Sequence, residues 1–156
     1  MFKWLGISLV VVVLDQITKF IAESQLGYGQ PLPVVPSFNL TLMYNEGAAF
    51  SFLSDAGGWQ RWFLVSISLA ASLLLVFWLR KLKPAHRLLA LALALILGGA
   101  IGNLIDRVWL GHVIDFIQVY YAGWYFPAFN IADAAISVGA ALLIWDSIFG
   151  KSQEET

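Results

Sequence analysis

Two aspartates, Asp115 and Asp133, are the side chains of this sequence best suited to catalysis. When two carboxyl groups are held close together they cannot both ionise easily, so the pKa of one rises and the pair shares a proton. The ionised member can then take a proton from water while the protonated member polarises a peptide carbonyl. This is aspartyl-protease chemistry, and it requires no metal. Paired acids also serve proton-coupled transporters, so the pair by itself leaves both functions open.

Other catalytic chemistries lack the residues they need. The chain has no cysteine, which excludes disulfides, thiolate metal sites and cysteine nucleophiles. Its two histidines, His86 and His112, form no H-E-x-x-H zinc motif. No Walker A or G-x-G-x-x-G motif is present, and a net charge of -1 argues against nucleic-acid binding. We therefore expect no metal, no other cofactor and no nucleic-acid partner.

The composition is that of a membrane protein. Of the 156 residues, 60% are hydrophobic and only 12% are charged, whereas an average soluble domain is about half apolar and about a quarter charged. A spanning helix needs about 20 mostly apolar residues. We predict an all-α integral membrane protein of four transmembrane helices, which form a single domain over residues 1–156. The predicted spans are about 4–22, 60–79, 88–106 and 130–149.

Basic residues predict the orientation of the spans. Lysine and arginine near span ends favour the cytoplasmic side, and six of the nine basic residues lie at one set of ends: Lys3, Arg80, Lys81, Lys83, Arg87 and Lys151. Both termini and the link between spans two and three are therefore expected in the cytoplasm. The N-terminal segment is expected to be retained, because no convincing small-x-small cleavage site follows it and Asp15 and Lys19 continue the same helix.

The two outer connections, at about residues 23–58 and 107–128, are expected to form a small β-containing platform on the outer face. Residues 38–44 alternate between apolar and polar types, which is typical of a strand. Residues 113–121 are rich in β-branched and aromatic types, and the aromatic residues that follow suit the membrane–water interface.

Further ionisable residues are predicted at membrane depth, where charge is costly and marks either function or a satisfied partner. Asp15 and Lys19 lie late in span one, Asp106 and Arg107 end span three, and Asp133 opens span four, all toward the outer face. Structural roles are open for each of them. The i,i+4 spacing of Asp15 and Lys19 suits an ion pair, and Asp106-Arg107 could simply end its helix at the interface.

The starts and faces of the later spans also have structural interpretations. Either Asn130 or Asp133 could cap span four. Gly98 and Gly102 form a G-x-x-x-G motif that permits close helix contact, and Asn103, next to that face, is suited to an interhelical hydrogen bond.

Five blocks of the sequence, in order, resemble the motifs of the type II signal peptidases, the bacterial lipoprotein signal peptidases. They are Leu14-Asp15-Gln16 with Lys19, and residues 45–50 (NEGAAF), 98–107 (GGAIGNLIDR), 113–116 (VIDF) and 126–133 (FPAFNIAD). The resemblance covers nearly the whole chain, and no motif position departs from the family pattern.

The resemblance implies an intramembrane aspartyl endopeptidase of the bacterial inner (cytoplasmic) membrane, with its active site toward the periplasmic face. Its substrates would be prolipoproteins that carry diacylglycerol on a cysteine, and the cut would fall just before that cysteine. By the family motifs, Asp115 and Asp133 are the catalytic pair. The residues implied to support the pair or bind substrate are Asp15, Lys19, Asn45, Asn103, Asp106, Arg107 and Asn130.

The same resemblance implies inhibition by globomycin-type cyclic peptides. We also expect contact with membrane lipids, a monomer, and a flexible loop at about residues 52–58 that gates access to the site. A proton-coupled carrier would place acids near the bilayer midplane and on both sides, whereas these acids gather toward one face. A non-catalytic bundle and an enzyme of lipid-linked substrates that uses the same acids without proteolysis remain as alternatives.

Overall fold

The computed structural model describes residues 2–47 and 59–150. Within them, four helices are long and apolar enough to cross a membrane, which confirms the predicted membrane fold. The elements in chain order are α1 (Phe2–Gln25), β1 (Leu32–Val35), β2 (Phe38–Asn45), α2 (Trp59–Lys81), α3 (Arg87–Trp109), β3 (Val113–Tyr121), β4 (Trp124–Tyr125) and α4 (Ile131–Phe149).

Three helices extend beyond the predicted spans. The predicted bounds stop near the charged residues that flank the apolar runs, but helical hydrogen bonding continues beyond them, as at residues 23–25 of α1 and 107–109 of α3. Asp106 therefore lies one turn inside α3 and does not end it. The fourth helix starts one residue later than predicted, because Asn130 is its N-cap.

Helix α3 is the centre of the bundle and packs against each of the other three helices. Small residues allow the close approach. A Cβ atom added to Gly99 would collide with the backbone carbonyl of Ala132 on α4, and one added to Gly98 would collide with Ser8 and Val11 on α1. The hydroxyl of Ser8 donates a 2.8 Å hydrogen bond to the carbonyl of Ala94. The predicted close contact at the glycine-rich face is confirmed.

The α1–α2 and α3–α4 connections contribute the strands of a four-stranded antiparallel sheet in the order β1-β2-β3-β4, which confirms the predicted β-containing platform. Strands β2 and β3 pair from Phe38 opposite Val119 to Asn45 opposite Val113, with a shift of register between Leu40 and Met43. The register places Met43 opposite Asp115. The end of β2 therefore lies beside the part of β3 that carries the first candidate catalytic residue.

Candidate active site

Asp115 is held by the sheet at the end where it meets the helices. It lies in the third position of β3 and is buried, although it is an acid in a strand of apolar neighbours. The side-chain amide of Asn45, at the end of β2, donates a 3.3 Å hydrogen bond to its Oδ2 atom. Pairing of β2 with β3 is what brings these two residues together, although they are 70 positions apart in sequence.

Asp133 is held by the start of α4. Its backbone amide donates a 2.8 Å hydrogen bond to the side-chain oxygen of Asn130, which is the N-cap of the helix. Phe129, which precedes Asn130 in the chain, exchanges backbone hydrogen bonds with Ile117 of β3. Because the chain is fixed to β3 immediately before the helix begins, the first turn of α4 starts beside the strand that carries Asp115.

Asn130 connects the two aspartates directly. Its side-chain oxygen accepts from the backbone of Asp133, while its side-chain nitrogen lies 2.7 Å from Oδ1 of Asp115. The residue is completely buried. A buried amide must use its donors and acceptors within the protein. A single side chain therefore sets the position of one aspartate relative to the backbone of the other.

Asn103 of α3 supports the same pair from the membrane-spanning bundle. Its side-chain nitrogen donates a 2.7 Å hydrogen bond to Oδ1 of Asp133. Its side-chain oxygen accepts from Lys19 at 3.0 Å and from Asn130 at 3.2 Å. The predicted interhelical hydrogen bond of Asn103 is confirmed. Its partners include Asp133, a candidate catalytic residue, and Asn130, which contacts both aspartates.

A buried ionic cluster lies behind Asn103. The ammonium of Lys19 lies 2.8 Å from Asp15, as the i,i+4 spacing predicts, and also 2.8 Å from Asp106 of α3. With the bond to Asn103, all three donors of the ammonium are used. Asp15 also accepts from the backbone amide of Ala132 at 2.9 Å, so an acid of α1 stabilises the first turn of α4.

Arg107 is placed differently from the other candidates. Its guanidinium contacts the backbone carbonyl of Gly47 at 3.2 Å, so it joins α3 to the segment after β2. Among the described residues it makes no direct hydrogen bond to either aspartate, and its buried Nε atom has no partner there. It faces the acids closely enough to interact electrostatically with Asp106, Asp115 and Asp133.

Two side chains outside the predicted site set take part in this architecture. Gln16 donates to Oδ1 of Asp106 at 2.8 Å, and it belongs to the same sequence block as Asp15. Arg61, at the start of α2, donates to the backbone carbonyls of Arg107 and Val108 at 2.9 and 2.8 Å. The sequence does contain a signal that could have identified Arg61 as functional or paired. It is a basic residue at the predicted outer end of a span, where the positive-inside pattern disfavours basic residues.

The surroundings of Asp115 raise its pKa to about 7. Burial contributes most, because it disfavours the charged carboxylate, and the negative charge of Asp133 acts in the same direction. Hydrogen bonds from Asn45 and Asn130 and the positive charge of Lys19 oppose the rise. Near neutral pH this carboxyl can therefore hold a proton, as one member of an aspartyl pair must do.

The arrangement can support general acid–base catalysis on a bound carbonyl compound. Two acids from different elements are joined through one amide, and further amide and guanidinium donors surround them. Within residues 2–47 and 59–150, no group of three or more histidine and acidic side chains is arranged to hold a metal ion. Residues 52–58, predicted to form a gate, lie outside the described residues.

Comparison with known proteins gives a consistent result. The family model described as "Signal peptidase (SPase) II" matches residues 7–149. The lipoprotein signal peptidase of Acinetobacter baumannii (strain ATCC 17978) is 57% identical over 150 residues, which cover 96% of this chain and 85% of that protein. The enzyme of the same name from Teredinibacter turnerae is 57% identical over 148 residues, or 95% of this chain and 88% of that protein.

A solved structure has the same fold. It is described as a bacterial membrane enzyme determined by the in meso method at 2.3 Å resolution, and it superposes with a TM-score of 0.84 at 33% sequence identity. The match covers all of this chain and 95% of that one. With a family model matched along nearly the whole sequence and relatives above half identity, the chain belongs to the signal peptidase II family.

Proposed function

We propose that this protein is a lipoprotein signal peptidase in which Asp115 and Asp133 are the catalytic pair. The substrates are prolipoproteins that carry diacylglycerol on a cysteine, and the cut falls just before that cysteine. The observation that carries the proposal is the position of Asn130, which accepts from the backbone of Asp133 and donates to a carboxyl oxygen of Asp115. The names of the relatives support the substrate class.

In the proposed reaction the pair carries one proton. The ionised carboxylate takes a proton from a water molecule as the water oxygen attacks the carbonyl carbon of the scissile peptide. The protonated carboxyl donates to the carbonyl oxygen, on which negative charge develops. The tetrahedral intermediate then collapses, the carbon–nitrogen bond breaks, and the leaving amine accepts a proton from the pair. The raised pKa of Asp115 lets this carboxyl hold the proton near neutral pH.

The surrounding residues have supporting roles in this proposal. Asn103 and Asn130 orient the carboxyl groups, and Asn45 holds Asp115 from the side of the sheet. Arg107 has donors that can bind the backbone of the substrate, because its Nε atom has no partner among the described residues. Asp15, Lys19 and Asp106 fix α1, α3 and the start of α4 relative to each other.

We further propose that the whole chain is one domain in the bacterial inner membrane, with cytoplasmic termini and the active site on the periplasmic side. A signal peptide is helical in lipid and must unwind where water can reach it, which is tolerated only in a protein-lined cavity. A site at the ends of the helices meets that requirement. The protein acts as a monomer in contact with membrane lipids, because a single chain supplies both aspartates, and globomycin-type peptides inhibit it.

The test is cleavage of a diacylglyceryl-modified prolipoprotein peptide by the purified protein in lipid. Asp115→Asn and Asp133→Asn are each expected to abolish cleavage. Asp146→Asn, the same change at the far end of α4, is the matched control and should leave cleavage intact. Intact cleavage in either of the first two variants would show that the pair is assigned wrongly. The mass of the products locates the cut and separates proteolysis from a reaction on the lipid.

A further inference from the structure

A cavity of about 160 Å³ opens at the end of the bundle opposite to the aspartates. Lys3 of α1, Lys83 and His86 of the α2–α3 link and Arg87 at the start of α3 contribute polar side chains to its lining. The remaining lining residues are Trp4, Leu79, Leu82, Pro84 and Ala90. The cavity is larger than a single water molecule requires, so its lining can accommodate a small headgroup.

Positive charge around this cavity is not neutralised within the described chain. Lys3, Lys83 and Arg87 are cationic, and none of the described residues that line the cavity is acidic. The ion pairs of residues 2–47 and 59–150 all involve Lys19, so none of these three cations has a carboxylate partner there. Like charges around one cavity repel each other, and an anion between them relieves the repulsion. The lining therefore selects a negatively charged ligand.

Lys3 is held at this cavity by its neighbour. Its ammonium lies 4.8 Å from the centre of the Trp4 ring, in a cation–π contact. Since Trp4 also lines the cavity, the contact keeps a positive charge at its rim. A charge already held in place loses less conformational entropy when a ligand binds than a free lysine would.

Apolar side chains next to the cavity indicate where the ligand comes from. Phe2, Phe77 and Trp78 are exposed on the adjoining turns of α1 and α2, which are helices of membrane-spanning length. A lipid whose headgroup occupies the cavity would place its acyl chains along such a surface. A basic pocket between spanning helices, bordered by apolar side chains, is a recognised form of anionic lipid site.

We propose that this cavity binds the headgroup phosphate of an anionic phospholipid from the leaflet at that end of the bundle. Lys3, Lys83 and Arg87 contact the phosphate, and the acyl chains follow the exposed aromatic side chains of α1 and α2. The bound lipid joins the N-terminus of α1 to the α2–α3 link.

The experiment titrates cardiolipin or phosphatidylcholine onto the purified full-length protein in detergent and measures bound lipid by native mass spectrometry. Cardiolipin is expected to bind more tightly than phosphatidylcholine. The double variant Lys83→Gln/Arg87→Gln should weaken cardiolipin binding roughly 30-fold, since each charge near an anionic lipid contributes about a factor of five. The swap Lys83→Arg/Arg87→Lys keeps both charges and should retain binding.

The matched control is Arg80→Gln/Lys81→Gln, which removes the same charge from the adjacent end of α2 without altering the residues that line the cavity. It should change cardiolipin affinity by less than about threefold. Equal losses in the two double variants would mean diffuse attraction to basic residues and would overturn the site. Displacement of the lipid by an equal concentration of glycerophosphate, which has no acyl chains, would overturn the assignment to a lipid. Equal binding of cardiolipin and phosphatidylcholine would overturn the proposed selectivity for an anionic headgroup.

Discussion

The side-chain nitrogen of Asn130 lies 2.7 Å from the Oδ1 atom of Asp115. Asn130 is the N-cap of α4, so the residue that starts the helix also fixes a carboxyl group on the sheet. The same asparagine therefore affects both the folding of the bundle and the geometry of the proposed catalytic pair, and suitable substitutions can separate the two effects.

Asn130→Ala is expected to lower the free energy of unfolding by about 1 kcal/mol through loss of the cap. It should also lower kcat roughly 100-fold, because Asp115 loses the donor that positions it. Asn130→Ser keeps a capping hydroxyl but is too short to join both aspartates. Thermal unfolding of the serine variant should occur at a higher temperature than that of the alanine variant, while cleavage stays low. Recovery of cleavage together with stability would contradict the positioning role.

The pH dependence of cleavage should reflect the protonation of Asp115. Its pKa is raised to about 7, so the protonated form that the proposed mechanism requires is lost as pH rises through that value. We expect kcat/KM to fall on the alkaline side with an apparent pKa near 7. Asn45→Ala removes a donor that stabilises the carboxylate, so the pKa should rise and the alkaline limb should move upward by about one pH unit.

The control for this shift is Thr41→Val on the same strand, whose hydroxyl contacts Gln118 and not Asp115. Its pH profile should coincide with that of the parent protein. If Asn45→Ala lowers the rate at every pH without moving the alkaline limb, the hydrogen bond from Asn45 does not tune Asp115.

Replacement of Lys19 should destabilise the bundle more than any exposed lysine does. Lys19→Met leaves Asp15 and Asp106 buried without a counterion, and loss of one partner of a buried pair costs about 3–5 kcal/mol. Unfolding in detergent by denaturant measures the loss. The triple variant Lys19→Met/Asp15→Asn/Asp106→Asn should recover much of it. Lys81→Met, an exposed lysine at the other end of the bundle, should change stability by less than about 0.5 kcal/mol.

Close packing of α3 against α4 should be sensitive to a single methyl group. Gly99→Ala places a Cβ atom against the backbone carbonyl of Ala132, so the helices must separate, at a cost of about 1–3 kcal/mol. Gly6→Ala in α1 meets nothing within 4 Å and should be neutral or stabilising, since alanine is the better helix former. Equal thermal stabilities of the two variants would show that the glycine contact is not what limits helix approach.

Local sequence patterns are sufficient to predict the kind of elements and much of their extent. The four helices follow from long apolar runs, and the strand predicted at residues 113–121 has the bounds observed for β3. The ion pair of Asp15 and Lys19 could also be predicted, because the spacing of four residues lies within one helix. In each case the signal is local, since periodicity and spacing depend only on neighbouring residues.

The contacts between side chains of different elements depend on how those elements pack, and local patterns do not predict them. Asp15 reaches the backbone of Ala132, 117 positions away, because α1 and α4 both pack beside α3. The two hydrogen bonds of Arg61 to the end of α3 likewise depend on how α2 lies against that helix. Local patterns do not specify the rotation and approach of packed helices, and those two quantities set the partners of every buried polar side chain in the site.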